Sequence, residues 1–168
     1  MILDKSIWPQ SEKIISKEDA KSKILKLRES LVKIGFTNGC FDLMHLGHLH
    51  SFMQAKKECD VLFVGVNTDA SVRRYKGQNR PIQDEITRAM MVASLPFVDY
   101  VILFDDDTAE PLIDLLRPDV LAKEGYPIDK WPEAQKVISY GGRAITLPRL
   151  EGYSTSAQIA KLMAGKDA

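Results

Sequence analysis

Residues 36–48 carry the sequence FTNGCFDLMHLGH, which predicts a buried strand, a glycine turn and the first turn of a helix. All three histidines of the chain fall in or just after this stretch, at His45, His48 and His50. Residues three apart share one face of a helix, so we expect His45 and His48 to lie side by side. Gly47 between them lets another group approach the backbone closely. Because the start of a helix offers free N–H groups and partial positive charge, the stretch predicts a phosphate-binding site.

The residues alone leave two other interpretations of the histidines open. The histidines could also be ordinary polar residues at a helix start, or zinc ligands together with Cys40. Zinc takes four protein ligands, or three and a water, and only His45, His48 and Cys40 are close enough in sequence. The second cysteine, Cys59, follows the helix and is predicted to be a core residue.

The size and charge of the chain argue against several classes of protein. With 168 residues, 45% of them hydrophobic and 27% charged, the chain matches a single soluble domain that can bury a substantial core. Its 23 basic residues balance 23 acidic ones, so no global charge favours nucleic acid or a membrane as partner. Two cysteines, without a signal peptide or a long apolar run, predict a protein of the reducing cytoplasm.

Apolar runs and helical periodicity alternate along the chain. This pattern predicts an open α/β sheet of Rossmann type, with about five parallel strands and helices on both faces. The strands are predicted at residues 34–37, 60–66, 98–104, 120–122 and 144–147. The first sixteen residues are expected to form an irregular arm, followed by a helix to about Leu31. In such folds ligands bind beyond the carboxyl ends of the strands, which is where the histidines lie.

Two further stretches carry groups that bind phosphate. Basic side chains concentrate at Arg73, Arg74, Lys76, Arg80 and Arg88. They fit either a solvated helix face or a clamp on phosphate oxygens, since guanidinium groups bind phosphate through two hydrogen bonds. Ser154, Thr155 and Ser156 precede the last predicted helix, where hydroxyl groups serve as N-caps or as phosphate ligands. The acidic run 105–107 is interpreted as a stabilised helix start rather than a metal site.

The H-x-G-H nucleotidyltransferase superfamily has a signature similar to the pattern Gly39-x-Phe41-Asp42-x-x-His45-x-Gly47-His48. The resemblance covers residues 34–162 and implies transfer of a nucleotidyl group from a nucleoside triphosphate to a phosphate or carboxylate. Within that superfamily, the heptose 1-phosphate adenylyltransferases resemble this chain in the run Lys76-Gly77-x-x-Arg80-Pro81, in Arg88 and in Lys123. We therefore divide the chain into an arm and helix, residues 1–32, and a nucleotidyltransferase domain, residues 33–168, within one globular unit.

The resemblance implies a set of site residues. Catalysis is assigned to His45, His48, Lys76 and Arg88. Nucleotide binding is assigned to Thr37, Asn38, Gly39, Cys40, Phe41, Gly47, Lys123, Gly125, Ser154, Thr155 and Ser156. Acceptor binding is assigned to Asp42 and Arg80, and the other role open to Asp42 is to orient the motif itself. Magnesium is expected to bind mainly through the triphosphate, with no dedicated protein site.

The reaction that the resemblance implies is transfer of AMP from ATP to the sugar phosphate D-glycero-D-manno-heptose 1-phosphate. The enzyme is expected to be a cytoplasmic homo-oligomer that binds neither nucleic acid nor membrane. Glu124 departs from the family pattern because a glycine is expected there, and the acidic residue before Tyr126 is missing. Arg149 resembles an arginine of the cytidylyltransferase branch, so a CTP-dependent enzyme acting on glycerol 3-phosphate or a related polyol phosphate is an alternative. A nucleotide-binding regulatory protein without turnover is a third interpretation, against which the intact His45, His48 and Lys76 argue.

Overall fold

A computed structural model describes residues 12–164 and contains one sheet of five parallel strands. The strands are β1 (Ile34–Gly39), β2 (Val61–Asn67), β3 (Tyr100–Phe104), β4 (Val120–Glu124) and β5 (Arg143–Leu147). The helices are α1 (Lys17–Glu29), α2 (Leu46–Lys57), α3 (Asp69–Lys76), α4 (Glu85–Ala93), α5 (Glu110–Leu116), α6 (Pro132–Ser139) and α7 (Thr155–Ala164). The strand order is β3-β2-β1-β4-β5, so the predicted Rossmann-like sheet is confirmed.

The helices cover the two faces of the sheet through separate apolar clusters. One cluster joins the sheet to α1, α5 and α6 and includes Phe63 and Leu112. The other joins the sheet to α2 and α4 and includes Val64 and Phe52. Phe63 and Val64 are neighbours along β2 but belong to opposite clusters, because successive side chains of a strand point to opposite faces. The prediction of helices on both faces is therefore confirmed.

The first helix begins where the sequence predicts and ends earlier. Ser16 caps α1 by accepting a hydrogen bond from the Asp19 N–H at 3.0 Å. The helix packs against α5 through the buried side chains of Ala20 and Ile24. Leu31 lies beyond the helix end, with a positive φ of 54° and 93% of its surface exposed. The helix therefore ends at Glu29, two residues before the predicted end at about Leu31.

The segment before α1 lies along the edge strand β3. Ile14 forms a parallel bridge with Val101, and Lys13 Nζ donates to two carbonyl oxygens between α4 and β3 at 3.1 and 2.8 Å. Part of the predicted irregular arm is thus held on the sheet, whereas residues 1–11 lie outside the described residues. Across residues 12–164, no helix has both the length and the apolar character needed to cross a lipid bilayer.

Gly35 allows the central strand to pack closely against the turn after α2. A Cβ atom added at this position would lie 2.8 Å from Cys59 Cβ and closer still to the Cys59 Sγ. We predict that Gly35→Ala lowers the free energy of unfolding by about 1–3 kcal/mol, because overpacking forces neighbouring atoms apart. Urea denaturation measures this change. Adding Cys59→Ala is expected to recover part of the loss, and additive effects of the two substitutions would contradict the explanation.

Candidate active site

The predicted site lies where the sheet changes its direction of winding. β1 is central, with β2 and β3 on one side and β4 and β5 on the other. Connections diverge between β1 and β4, which opens a crevice beyond their carboxyl ends at Gly39 and Glu124. The stretch with His45 and His48 follows β1 directly and borders this crevice.

Two adjoining cavities occupy the crevice. The first, called here the histidine cavity, has a volume of about 460 Å³ and is lined by His45, His48, Lys76, Arg80, Glu124, Gly125, Tyr126, Arg149, Tyr153, Ser154, Thr155 and Ser156. The second, called the asparagine cavity, has a volume of about 390 Å³ and is lined by Asn38, Gly39, Cys40, Asn67, Tyr75, Lys76, Phe104, Asp107, Thr108, Ala109, Lys123, Tyr126 and Glu133. Lys76 and Tyr126 line both cavities, so the two spaces meet at these side chains.

The two histidines form a stacked pair on the wall of the histidine cavity. Their ring centroids are 3.9 Å apart and their planes differ by 20°. His45 precedes α2 as its N-cap, with extended backbone angles, so the prediction that both histidines belong to the helix is wrong although their rings do meet. Burial lowers the pKa of His48 to about 4, and the positive charges of His45 and Lys76 act in the same direction. His48 is therefore neutral at pH 7.

The carboxylate of Asp42 binds the loop before α4 to the loop after β1. Asp42 is 1% exposed and accepts the backbone N–H groups of Ile82 and Gln83 at 2.9 and 3.0 Å. Arg80 Nε donates to the same carboxylate at 2.9 Å. Burial raises the pKa of Asp42, but these hydrogen bonds outweigh it and hold the pKa below its ordinary value. The assignment of Asp42 to acceptor contact is corrected, because its carboxylate is enclosed by protein donors.

Arg88 lies behind the crevice rather than on its surface. It is fully buried, and its guanidinium donates to the carbonyl oxygens of Gln83 and Cys40 at 3.0 and 2.6 Å and to the Asp69 carboxylate at 2.7 Å. The expectation that Arg88 holds phosphate directly is therefore corrected. It supports the loop that carries Cys40.

The other basic side chains of this region divide between surface and cavity. Arg74 forms ion pairs with Asp105 and Asp107, and Lys17 forms one with Asp106. Each carboxylate of the acidic run 105–107 is therefore paired with a cationic side chain. Of the five basic residues predicted as a clamp, Lys76 and Arg80 line the histidine cavity. Two cations therefore share this cavity with the histidine pair.

The start of α7 closes the histidine cavity from the other side. Ser154 Oγ accepts the Ala157 N–H at 3.1 Å, so Ser154 caps the helix as its position predicts. Thr155 Oγ1 donates to the Asp42 carbonyl oxygen at 2.9 Å and fixes this helix start against the loop after β1. A larger groove of about 740 Å³ lies between α7, α4 and the loop after β1, but its lining is mainly apolar and its one charged side chain is Lys161.

Sequence comparison agrees with this geometry. The family model described as cytidylyltransferase-like matches residues 36–161. The chain belongs to the cytidylyltransferase-like family. The predicted membership of the H-x-G-H nucleotidyltransferase superfamily is thereby confirmed.

Curated relatives in this family include the bifunctional protein HldE of Rhodospirillum rubrum, which is 46% identical over 157 residues, 93% of this chain and 32% of that protein. The bifunctional protein HldE of Caulobacter vibrioides is 45% identical over 155 residues, 92% of this chain and 32% of that protein. The chain spans about a third of the length of these relatives.

Solved structures support the fold. A lipopolysaccharide core biosynthesis protein from Thermoplasma volcanium superposes with a TM-score of 0.57 at 29% identity, covering 73% of this chain and 99% of that one. A pantoate–β-alanine ligase from Francisella tularensis, crystallised with β,γ ATP and β-alanine, superposes with a TM-score of 0.59 at 17% identity. It covers 85% of this chain and 68% of that one, and at this identity the likeness concerns the fold alone.

Three residues assigned to nucleotide binding have packing roles in the structure. Thr37 is buried within β1, and Phe41 packs edge-on against His48 with a centroid distance of 5.6 Å. Neither lines the two cavities. Gly47 makes room for protein atoms, since an added Cβ would lie 3.0 Å from the His45 ring and 3.3 Å from Tyr153 Cβ. The nucleotide contacts expected of these three residues stay a prediction.

The remaining predicted residues divide between the cavities. Asn38, Gly39, Cys40 and Lys123 line the asparagine cavity, whereas Gly125 lines the histidine cavity. Lys123 Nζ lies 4.5 Å from the Tyr126 ring centroid, and burial lowers the pKa of this lysine while Glu133 opposes the shift. Within residues 12–164, no group of three or more His, Cys, Asp or Glu side chains is arranged to hold a metal ion.

Several residues that line the cavities are not among the site residues predicted from the sequence. Asn67, Asp107 and Glu133 line the asparagine cavity, and Tyr153 lines the histidine cavity. Asn67 is the last residue of β2, so a rule that examines the polar residue ending each strand would have found it. Asp107 and Glu133 follow no motif, and only the three-dimensional arrangement brings them to the crevice.

The low pKa of His48 gives a pH-dependent stability. A histidine in the unfolded chain titrates near 6.5, so between pH 6.5 and about 4 the unfolded state binds more protons than the folded state. We predict that the free energy of unfolding falls as the pH is lowered through this window and that His48→Asn reduces the slope. An NMR titration of the His48 ring should give a midpoint near pH 4, and a midpoint near 6.5 would contradict the burial argument.

Proposed function

We propose that this chain transfers the AMP group of ATP to D-glycero-D-manno-heptose 1-phosphate, forming ADP-heptose and pyrophosphate. The observation that carries the proposal is the convergence of His45, His48, Lys76, Arg80 and the start of α7 on one cavity. Imidazoles, cationic side chains and free N–H groups are the donors that a triphosphate requires. The similarity to a lipopolysaccharide core biosynthesis protein supports an acceptor that is used to build surface polysaccharide.

The asparagine cavity suits the acceptor. Its wall includes Asn67, Asp107 and Glu133, whose amide and carboxylate groups can bind the hydroxyls of a sugar. It opens into the histidine cavity at Lys76 and Tyr126. An acceptor phosphate placed at this junction would meet the α-phosphorus of a triphosphate held by the histidines.

The proposed reaction needs alignment and charge neutralisation rather than a general base. A phosphate monoester is mostly ionised at neutral pH, so its oxygen attacks the α-phosphorus directly while the bond to pyrophosphate breaks. His48, being neutral, donates a hydrogen bond to the phosphate oxygens as negative charge develops. Lys76 and Arg80 bring positive charge to the same oxygens, and the start of α7 holds the β- and γ-phosphates.

Magnesium fits this proposal as a partner of the triphosphate. The donor set of the histidine cavity is dominated by imidazoles and cations, so the metal ion would be held mainly by phosphate oxygens. When bound, magnesium would neutralise part of the phosphate charge. Cys40 and Cys59 are free thiols, which supports a reducing cytoplasm as the compartment.

A CTP-dependent reaction with glycerol 3-phosphate or a related polyol phosphate is the second candidate. The observation that favours it is Arg149, which lines the histidine cavity as the resemblance to cytidylyltransferases implies. The run from Lys76 to Pro81 and the position of Lys123 favour the heptose reaction instead.

Pyrophosphate release tests the proposal directly. Wild-type protein is assayed with ATP or CTP against D-glycero-D-manno-heptose 1-phosphate and glycerol 3-phosphate. We predict ATP-dependent release with the heptose phosphate, reduced on the order of a hundredfold or more in His48→Ala because a transition-state donor is lost. His50→Ala is the matched control, since His50 lies on the same helix outside both cavities and should leave turnover near the wild-type value.

Three other outcomes of the pyrophosphate assay would contradict the proposal. Release that requires CTP would replace the heptose reaction with the cytidylyltransferase reaction. Nucleotide binding without release from any acceptor would favour a regulatory protein. Unchanged turnover in His48→Ala would remove this histidine from the mechanism.

A further inference from the structure

Glu124 brings a carboxylate into a cavity that otherwise collects donors and cations. It is the last residue of β4, beside the central strand, and its side chain lines the histidine cavity. The resemblance to the heptose enzymes predicts a glycine at this point of the pattern, so the resemblance does not account for the side chain.

The protein contacts of Glu124 leave much of its carboxylate available. Ser51 Oγ donates to Oε2 at 3.1 Å. Arg149 Nε lies 3.9 Å from Oε1, which is longer than a hydrogen bond, and the Arg149 side chain is 66% exposed. An exposed ion pair of this kind contributes little to stability. Packing and pairing therefore do not account for a carboxylate at this place.

The position of Glu124 is close to the proposed phosphate site. Its partner Ser51 lies three residues after His48 on α2 and so shares a helix face with it. Burial lowers the pKa of His45, and the negative charge of Glu124 opposes that shift. A carboxylate accepts hydrogen bonds and repels phosphate oxygens, so a hydrogen-bond donor next to the phosphates fits it as a ligand.

In a nucleoside triphosphate, the group bonded to the α-phosphate is the ribose, which carries two hydroxyl donors. We propose that Glu124 accepts hydrogen bonds from the ribose hydroxyls and selects ribonucleotides over nucleotides that lack them. Dinucleotide-binding folds use a carboxylate at a strand end in the same chemical role. The inference rests on the proposed function only in that a nucleoside triphosphate occupies the histidine cavity.

Equilibrium binding tests this selection without an acceptor or turnover. Isothermal titration calorimetry compares ATP with 2′,3′-dideoxyATP, each with magnesium, on wild-type protein, Glu124→Ala and Glu124→Gln. We expect wild type to prefer ATP by about tenfold to a hundredfold, the value of hydrogen bonds to a charged group. Glu124→Ala should lose this preference because ATP binds more weakly while dideoxyATP does not. Glu124→Gln should keep part of it, since the amide oxygen still accepts.

Glu151→Ala is the matched control, because it removes an exposed carboxylate from the loop before α7 and should keep the full preference. Equal weakening of both nucleotides in Glu124→Ala would overturn the inference and indicate a role through magnesium or folding. The absence of a preference in wild type would overturn it as well. If Glu124→Ala does not fold, a wild-type preference in Glu124→Gln overturns the inference and a reduced one supports it.

The two proposals fail separately. A Glu124-dependent preference without pyrophosphate release from heptose phosphate would contradict the proposed function and leave the ribose contact standing. If CTP binds in place of ATP, the comparison is made with 2′,3′-dideoxyCTP, which tests the same hydroxyls. A wild-type protein that binds no nucleoside triphosphate would overturn both.

Discussion

The site depends on the buried carboxylate of Asp42. Three donors from the segment Arg80 to Gln83 converge on it, and the carbonyl oxygen of the same residue accepts the hydroxyl of Thr155. These contacts join the loop after β1 to chain segments about 40 and 113 residues further along. A buried carboxylate without such donors would cost several kcal/mol, so the loop and its partners stabilise one another. The cavity walls are therefore assembled together.

In this arrangement, the residues that hold the loops in place differ from the residues that line the cavities. Arg88 is fully buried, and its guanidinium donates to carbonyl oxygens and to Asp69. Lys76, in contrast, lines both cavities. Burial keeps His48 neutral, so in the proposed reaction its contribution is a directed hydrogen bond and the positive charge comes from lysine and arginine. In the proposed complex, Glu124 supplies what the cations cannot, which is an acceptor for hydrogen bonds from hydroxyl groups.

The sequence predicts the sheet well because a buried strand has a characteristic run of apolar residues within a few consecutive positions. The apolar run of β2, the caps at Ser16 and Ser154 and the spacing of His45 and His48 each act within a few residues. Side-chain direction is different, since it depends on contacts between distant segments. Arg88 and Asp42 look like ligand-binding residues in sequence, but their partners lie in loops that only folding brings near. The basic run from Arg73 to Arg88 likewise gives no sign of which cation faces the crevice.

The most direct test of the account is a crystal structure with magnesium and an ATP analogue in which a methylene group replaces the oxygen between the α- and β-phosphorus. The account predicts that the phosphates lie between His48, Lys76 and the start of α7, with Asp42 still enclosed by Arg80, Ile82 and Gln83. A nucleotide bound elsewhere, or imidazoles of His45 and His48 that coordinate a metal ion instead of facing phosphate, would contradict it.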